Sequence, residues 1–169
     1  MGDKMNYYFP IFLNMEGKNV RVFGGGKIAA RRVQALVEFG ADVCVIAPQI
    51  AKELEDLAQI PRKRKEPENL AQYGQVTLSY RKYQPGELEE EDFVLAATDD
   101  EQVNYAIFQE CRHKEIPVNV SSDKEKCDFY FPGIVRDGDI TIGIASGGKN
   151  HKKVAETAAK IREWLLCRK

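Results

Sequence analysis

The sequence has little to offer metal or thiol chemistry. Its 169 residues include two histidines and four cysteines. Cys44, Cys111, Cys127 and Cys167 form no CxxC pair, and their spacing fits no zinc ribbon or finger. Cys44 lies in the apolar run 43–46 and reads as a small core residue, so reduced structural thiols are expected. His113 and His151 sit among charged neighbours and read as solvated. This poverty argues against a His-rich metal cage and against a His-based triad, and no metal is expected. An excess of one charge is missing as well. With 25 Lys+Arg against 26 Asp+Glu the net charge is −1, which argues against a protein built to neutralise nucleic-acid phosphates. No run approaches the roughly 18 apolar residues that suggest a membrane span. The N-terminus leads into no signal-type apolar core. The expectation is a cytoplasmic protein with no membrane and no nucleic-acid partner. No internal repeat or low-complexity segment occurs.

Hydrophobic content of 43% and charged content of 30% are those of an ordinary globular chain. The length fits one domain plus an appendage. Residues 19–23 form a short β-type run, followed at once by Gly24-Gly25-Gly26. Ala29, Val33, Leu36 and Val37 then recur at helical spacing, and Gly40 stops that helix. Residues 43–46 read as a buried strand, and Ile50, Leu54, Leu57 and Ala58 share one face of a second helix. The stretch 61–75, with Pro61, Pro67 and the run Arg62–Lys65, reads as a solvated loop. Val76–Tyr83 alternates as a strand, the acidic run 89–92 reads as a solvated helix-like turn, and Phe93–Ala97 reads as another buried strand. Asp99 or Asp100 can cap a helix carrying Val103, Ile107 and Cys111. Pro117–Val120 is the fifth strand. Alternating strands and helices with short connections specify an α/β fold with a doubly wound parallel sheet. After residue 122 the pattern changes. Residues 129–135 and 140–145 flank the turn Asp137-Gly138-Asp139 as a β-hairpin. A last helix carries Val154, Ala158, Ile161 and Leu165 on one face, with Asn150 as its N-cap. The boundary is therefore expected between 1–122 and 123–169.

Gly24-x-Gly26-x-x-Ala29 matches the G-x-G-x-x-G/A fingerprint in its required context, after a strand and opening a helix. Gly24 permits the tight turn. Gly26 lets backbone N–H groups approach a pyrophosphate, and Ala29 keeps the helix close to the sheet. The helix N-terminus then offers unpaired donors to phosphate. The carboxylate expected at the end of the second strand is missing; Ala47-Pro48-Gln49 stands there, which leaves NAD and NADP both open. Lys27 is not a P-loop lysine, because the GxxxxGK[ST] spacing is absent. Thr98 and Asn119 fall at carboxyl ends of strands, where open α/β sheets bind ligands; both also read as plain cap and turn residues.

Phe9–Asn14, Gly24–Ala29, Ala96–Asp100, Asn119-Val120, Cys127–Pro132 and Ser146–Lys149 occur in the order and spacing of the precorrin-2 dehydrogenase module of siroheme synthase. The chain resembles that family over residues 7 to about 162. The resemblance implies a Rossmann domain followed by a hairpin-plus-helix dimerisation region, a homodimer, and NAD-dependent oxidation of precorrin-2, a tetrapyrrole, to sirohydrochlorin in siroheme biosynthesis. In many relatives it also implies insertion of ferrous iron. It implies a cofactor site at Gly24, Gly25, Gly26, Lys27, Ile28, Ala47, Pro48, Gln49, Thr98 and Asn119. The family aspartate lies two residues beyond the Asn-Val of the fifth strand; here that place is Ser122, and Asp123 is the candidate acid/base. Ser146, Gly147, Gly148 and Lys149 become candidates for holding a substrate carboxylate, and Ser146 matches a serine phosphorylated in some relatives. Relatives continue into a further helical region, so a shortened version is expected, either dehydrogenase-only or with residual ferrochelatase activity. The rival reading is a non-catalytic NAD(H)-sensing module, which the glycine turn fits equally well.

Overall fold

A computed structural model describes residues 8–60 and 74–167. Most of the basic loop expected at 61–75 lies outside the described residues. The chain forms two compact units, residues 14–129 and residues 130–167 with 8–13.

The larger unit is built from β1 (Asn19–Phe23), α1 (Lys27–Glu38), β2 (Asp42–Ile46), α2 (Lys52–Ala58), β3 (Val76–Ser79), β4 (Phe93–Ala96), α3 (Glu101–Lys114) and β5 (Val118–Val120). The five strands form one parallel sheet in the order β3-β2-β1-β4-β5. The chain thus winds outward from β1 in one direction, returns, and winds outward in the other. Right-handed crossovers then place α1 and α2 on one face and α3 on the other. Alternation along the strands serves both faces. Phe23, Ile46, Val94, Ala96, Val118 and Val120 pack with Ile107 and Cys111 of α3. Val20, Val22, Val43 and Val45 are buried on the opposite side. This is the doubly wound sheet expected from the sequence, and its switch point falls between β1 and β4.

Local signals set the ends of the elements. Gly40 takes φ +89° just past α1, as a C′ glycine does. Asp100 caps α3, accepting from the N–H groups of Gln102 at 2.8 Å and Val103 at 3.2 Å. The edge of β5 is closed without another strand. Val118 N–H donates to the Asp128 carboxylate at 2.9 Å, and Val120 N–H meets the Cys127 sulfur at 3.3 Å. The Cys127-Asp128 string therefore has a structural reason, satisfying backbone groups that an edge strand otherwise leaves open.

Three expectations need correction. The acidic run is neither helix-like nor wholly solvated. Glu91 is buried and pairs with Arg21 of β1, while Asp92 accepts from the Asn19 N–H at 2.8 Å and from Lys18. These carboxylates tie the approach to β4 onto the start of β1, a contact that local sequence does not reveal. The third strand stops at Ser79 rather than running to Tyr83, because the chain leaves the sheet to bring Tyr83 and Leu88 over the Phe23 face. Cys44 packs against the core beside Ile46 but is only half-buried, because its other neighbours Asp42, Arg21 and Thr77 surround a small open hollow.

In the smaller unit β6 (Gly133–Asp137) and β7 (Ile140–Ile144) form an antiparallel hairpin, turned at Gly138 with φ +55°. The helix α4 (His151–Leu166) lies on the hairpin and is capped by Asn150, which accepts from Lys153 N–H at 2.8 Å. A Cβ at Gly133 would stand 2.8 Å from a Val154 methyl, so glycine sets how closely helix and hairpin pack. Ala158 is buried at that contact. Arg162 donates to the Ile134 carbonyl at 2.7 Å, and Tyr8 meets Tyr130 edge-on at 4.5 Å. Among the described residues no helix is long and apolar enough to cross a membrane.

Candidate functional site

A cleft of about 720 Å³ opens beyond the carboxyl ends of β1, β2 and β4, at the switch point of the sheet. Parallel strands leave their carboxyl ends and the following helix N-termini on the same rim, which is why ligands of such sheets bind there. The three glycines after β1 form the floor, and each does something different. Gly24 has φ +115°, and a Cβ on it would lie 2.2 Å from the Ala97 carbonyl oxygen. A Cβ on Gly25 would lie 2.2 Å from the Gln49 carbonyl oxygen. These two glycines let the turn dock against the loops after β4 and β2. The docking is sealed by Gly24 N–H to the Ile46 carbonyl at 3.0 Å and by Ala51 N–H to the Gly25 carbonyl at 2.8 Å. A Cβ on Gly26 would meet nothing within 4 Å.

The space beside Gly26 lies at the start of α1. That helix end has no side-chain cap and no acidic residue in its first turn. Its first N–H groups lack intrahelical partners, and its positive dipole end is not neutralised. Lys27 and Ile28 are exposed there, whereas Ala29 is fully buried against the sheet. An open space, free donors and a positive helix end fit a pyrophosphate. Ala47, Pro48 and Gln49 border the cleft after β2.

Thr98 forms the opposite wall, held by a residue the sequence reading passed over. Asn104 of α3 is 1% exposed. Its side-chain oxygen accepts from the Thr98 N–H at 3.1 Å and from the Thr98 hydroxyl at 2.8 Å. Its amide donates to the Thr98 carbonyl at 3.0 Å and to the Ser122 hydroxyl at 3.3 Å. The end of β4 is thereby fixed to α3 and to the loop after β5. A signal existed: Asn104 falls at i−3 and i−7 from Ile107 and Cys111, a polar residue on the buried face of the helix.

Tyr83, which no local sequence pattern marks out, forms the third wall. Its ring meets Phe23 edge-on at 5.1 Å, and its hydroxyl donates to Glu110 of α3. Burial, reinforced by that carboxylate, pushes the Tyr83 pKa well above the ordinary phenol value. Glu110 also accepts from the N–H groups of Gly86 at 2.9 Å and Leu88 at 2.8 Å. Burial by itself raises the Glu110 pKa, but these donors and Lys114 together hold it below the ordinary carboxylate value. A carboxylate with a depressed folded pKa stabilises the fold above its unfolded pKa, and the stabilisation is lost as pH falls through the folded value. The thermal midpoint is therefore expected to drop below about pH 4.3, the unperturbed Glu value. Glu110→Gln should flatten part of that drop; an identical acid limb in both proteins contradicts the assignment.

The remaining candidates are placed as follows. Asp123 does not border the cleft. It caps the 3-10 turn Lys124–Lys126, accepts from the Glu125 N–H at 3.0 Å and pairs with Lys126, whose ammonium holds its pKa below the ordinary value. Asn119 is buried in β5, donating to the Phe129 carbonyl at 2.7 Å, and does not border the cleft either. Ser146 lies in the smaller unit, where its hydroxyl accepts from Asn150 N–H at 2.9 Å; Gly147 and Gly148 follow with φ of +62° and +71°. Burial pushes the Cys111 thiol up to about 12, which rules it out as a thiolate nucleophile. Among the described residues no group of three or more His, Cys, Asp or Glu could hold a metal ion.

Residues 11–133 match a family model described as "Putative NAD(P)-binding". The chain belongs to this NAD(P)-binding family. The matched span contains the glycine turn and every residue that borders the cleft. Siroheme synthase of Psychrobacter sp. (strain PRwf-1) is 35% identical over 157 residues, covering 93% of this chain and 30% of that protein. Siroheme synthase of Pseudomonas fluorescens (strain SBW25) is 33% identical over 158 residues, covering 94% of this chain and 31% of that protein. The chain thus spans under a third of the length of these curated relatives. The solved structure titled "SirC, precorrin-2 dehydrogenase" superposes with a TM-score of 0.69 at 23% identity, covering 96% of this chain and 71% of that one. This likeness extends the shared fold over both units of the chain.

Proposed function

We propose that the protein is an NAD-dependent precorrin-2 dehydrogenase, converting precorrin-2 to sirohydrochlorin for siroheme synthesis, and that it acts in the cytoplasm as a homodimer. The observation that carries this reading is the glycine turn opening on the uncapped start of α1, in a chain 33–35% identical to siroheme synthases over most of its length. The nicotinamide ring supplies the hydride acceptor. Gly26 and the first N–H groups of α1 bind the pyrophosphate, with Lys27 and Ile28 flanking it. Ala47, Pro48 and Gln49 contact the adenosine half. Thr98, held by Asn104, orients the other half. Gly24 and Gly25 shape the turn, and Asn119 fixes the segment beyond β5 through the Phe129 carbonyl.

Net dehydrogenation removes a hydride and a proton from the substrate. Asp123 is the proposed proton acceptor. Lys126 beside it holds its carboxyl below the ordinary range, so it is ionised at neutral pH and able to accept a proton. Ser146, Gly147, Gly148 and Lys149 are proposed to bind a substrate carboxylate. The test is anaerobic incubation of the pure protein with precorrin-2 and NAD. NADH and the sirohydrochlorin spectrum are expected to rise together, and Asp123→Ala should slow that rise about 100-fold, as for loss of a positioned acid/base. No NADH from substrate that a competent relative does oxidise defeats the proposal.

A further inference from the structure

The half of the cleft beyond β2 and β3 contains a cation and borders on no carboxylate, and this bears on which dinucleotide it takes. In a sheet of this kind the adenosine ribose is read at the end of β2, where an acidic residue hydrogen-bonds the 2′-hydroxyl and repels a 2′-phosphate. Here Ile46 is followed by Ala47, Pro48 and Gln49, and Gln49 offers a neutral amide. Across the same half, three residues beyond β3, Lys82 is exposed and borders the cleft. Its neighbour Arg81 is committed to Glu87, with one bond at 3.0 Å and a second ion-pair contact. Lys82 has no such commitment: among the described residues its side chain makes no ion pair or hydrogen bond.

The carboxylates that do border the cleft, Asp99 and Asp100, follow β4, two strands from β2 and three from β3. At the spacing of neighbouring strands that is about 10–14 Å, at or beyond the screening length of physiological salt. Asp100 is in addition engaged by the N–H groups of α3. Of the charged residues that border the cleft, Lys82 is therefore the one at the ribose end.

We infer that the cleft accepts the 2′-phosphorylated dinucleotide NADP as well as NAD, with Lys82 as the specificity residue that meets the extra phosphate and Gln49 as the neutral residue that tolerates it. This rests on the cleft being the dinucleotide site. Binding of NADH and NADPH, followed by nicotinamide fluorescence in phosphate-free buffer of low salt, tests both statements separately. The wild type is expected to bind the two within about tenfold of each other. Lys82→Met should shift the affinity ratio toward NADH by about tenfold, the order of one charge-assisted hydrogen bond. Gln49→Glu should shift it in the same direction. NADH binding in each variant also reports that the cleft is intact. Binding of NADH with NADPH more than about tenfold weaker overturns the inference and leaves the cofactor site standing, because the ribose end then rejects the extra phosphate. So does a ratio that Lys82→Met leaves unmoved. Binding of neither dinucleotide removes the site and the inference with it.

Discussion

Gly24→Ala is expected to cost the fold about 3–5 kcal/mol, enough to unfold a marginally stable domain at moderate temperature. Two independent penalties contribute. The backbone at Gly24 has φ +115°, a region L side chains rarely enter. The added methyl would also stand 2.2 Å from the Ala97 carbonyl oxygen, with the Ala97 carbonyl carbon at 2.5 Å. Both neighbours are backbone, fixed by the Ala97 N–H to Phe23 carbonyl bond at 2.8 Å, so no rotamer change relieves the clash. Gly26→Ala supplies the contrast. Its φ is −84° and its Cβ would meet nothing within 4 Å, so its stability should stay within about 1 kcal/mol of the parent. Its dinucleotide affinity should nevertheless fall about tenfold or more, because the methyl enters the space proposed for the pyrophosphate. Urea unfolding and NADH titration of the two variants separate the effects. Equal loss of stability in both contradicts the division of labour among the three glycines.

That division shows where the sequence was readable. The fingerprint located the turn because its spacing reflects local geometry, strand to helix in one step. Gly24 was correctly read as the residue of the tight turn. Gly25, however, owes its identity to the Gln49 carbonyl on another loop, 24 positions away in sequence. The doubly wound parallel sheet was readable from the alternation of elements, and the helix ends from the aspartates at 99 and 100, Asn150 and Gly40, because caps and C′ glycines act within a few residues. The acidic run 89–92 was misread for the opposite reason. Its composition suits water, and only the register of β1 beside β4 brings Arg21 and Lys18 to Glu91 and Asp92. Tyr83 and Glu110 escaped notice likewise, since their pairing spans 27 residues and depends on α3 crossing the sheet.

Asn104→Ala is the second large effect, an expected loss of about 2–4 kcal/mol with a matching loss of dinucleotide affinity. The side chain makes four hydrogen bonds at the carboxyl ends of β4 and β5. Each contributes about 1 kcal/mol net, and groups left buried without a partner cost more than that. Three of the four reach Thr98, so the loop that forms one wall of the cleft loses its anchor to α3. Ser122→Ala removes only the 3.3 Å bond and should cost about 0.5 kcal/mol, near the lower limit for one hydrogen bond. A double-mutant cycle distinguishes a shared network from general damage to the helix. In a Thr98→Val background, where the hydroxyl bond is already gone, Asn104→Ala should cost about 1 kcal/mol less than in the parent, because residues in one network do not act additively. Strict additivity would mean that the bond from the Thr98 hydroxyl to Asn104 contributes nothing to the network. A loss of stability without loss of NADH affinity would mean that Thr98 does not touch the dinucleotide.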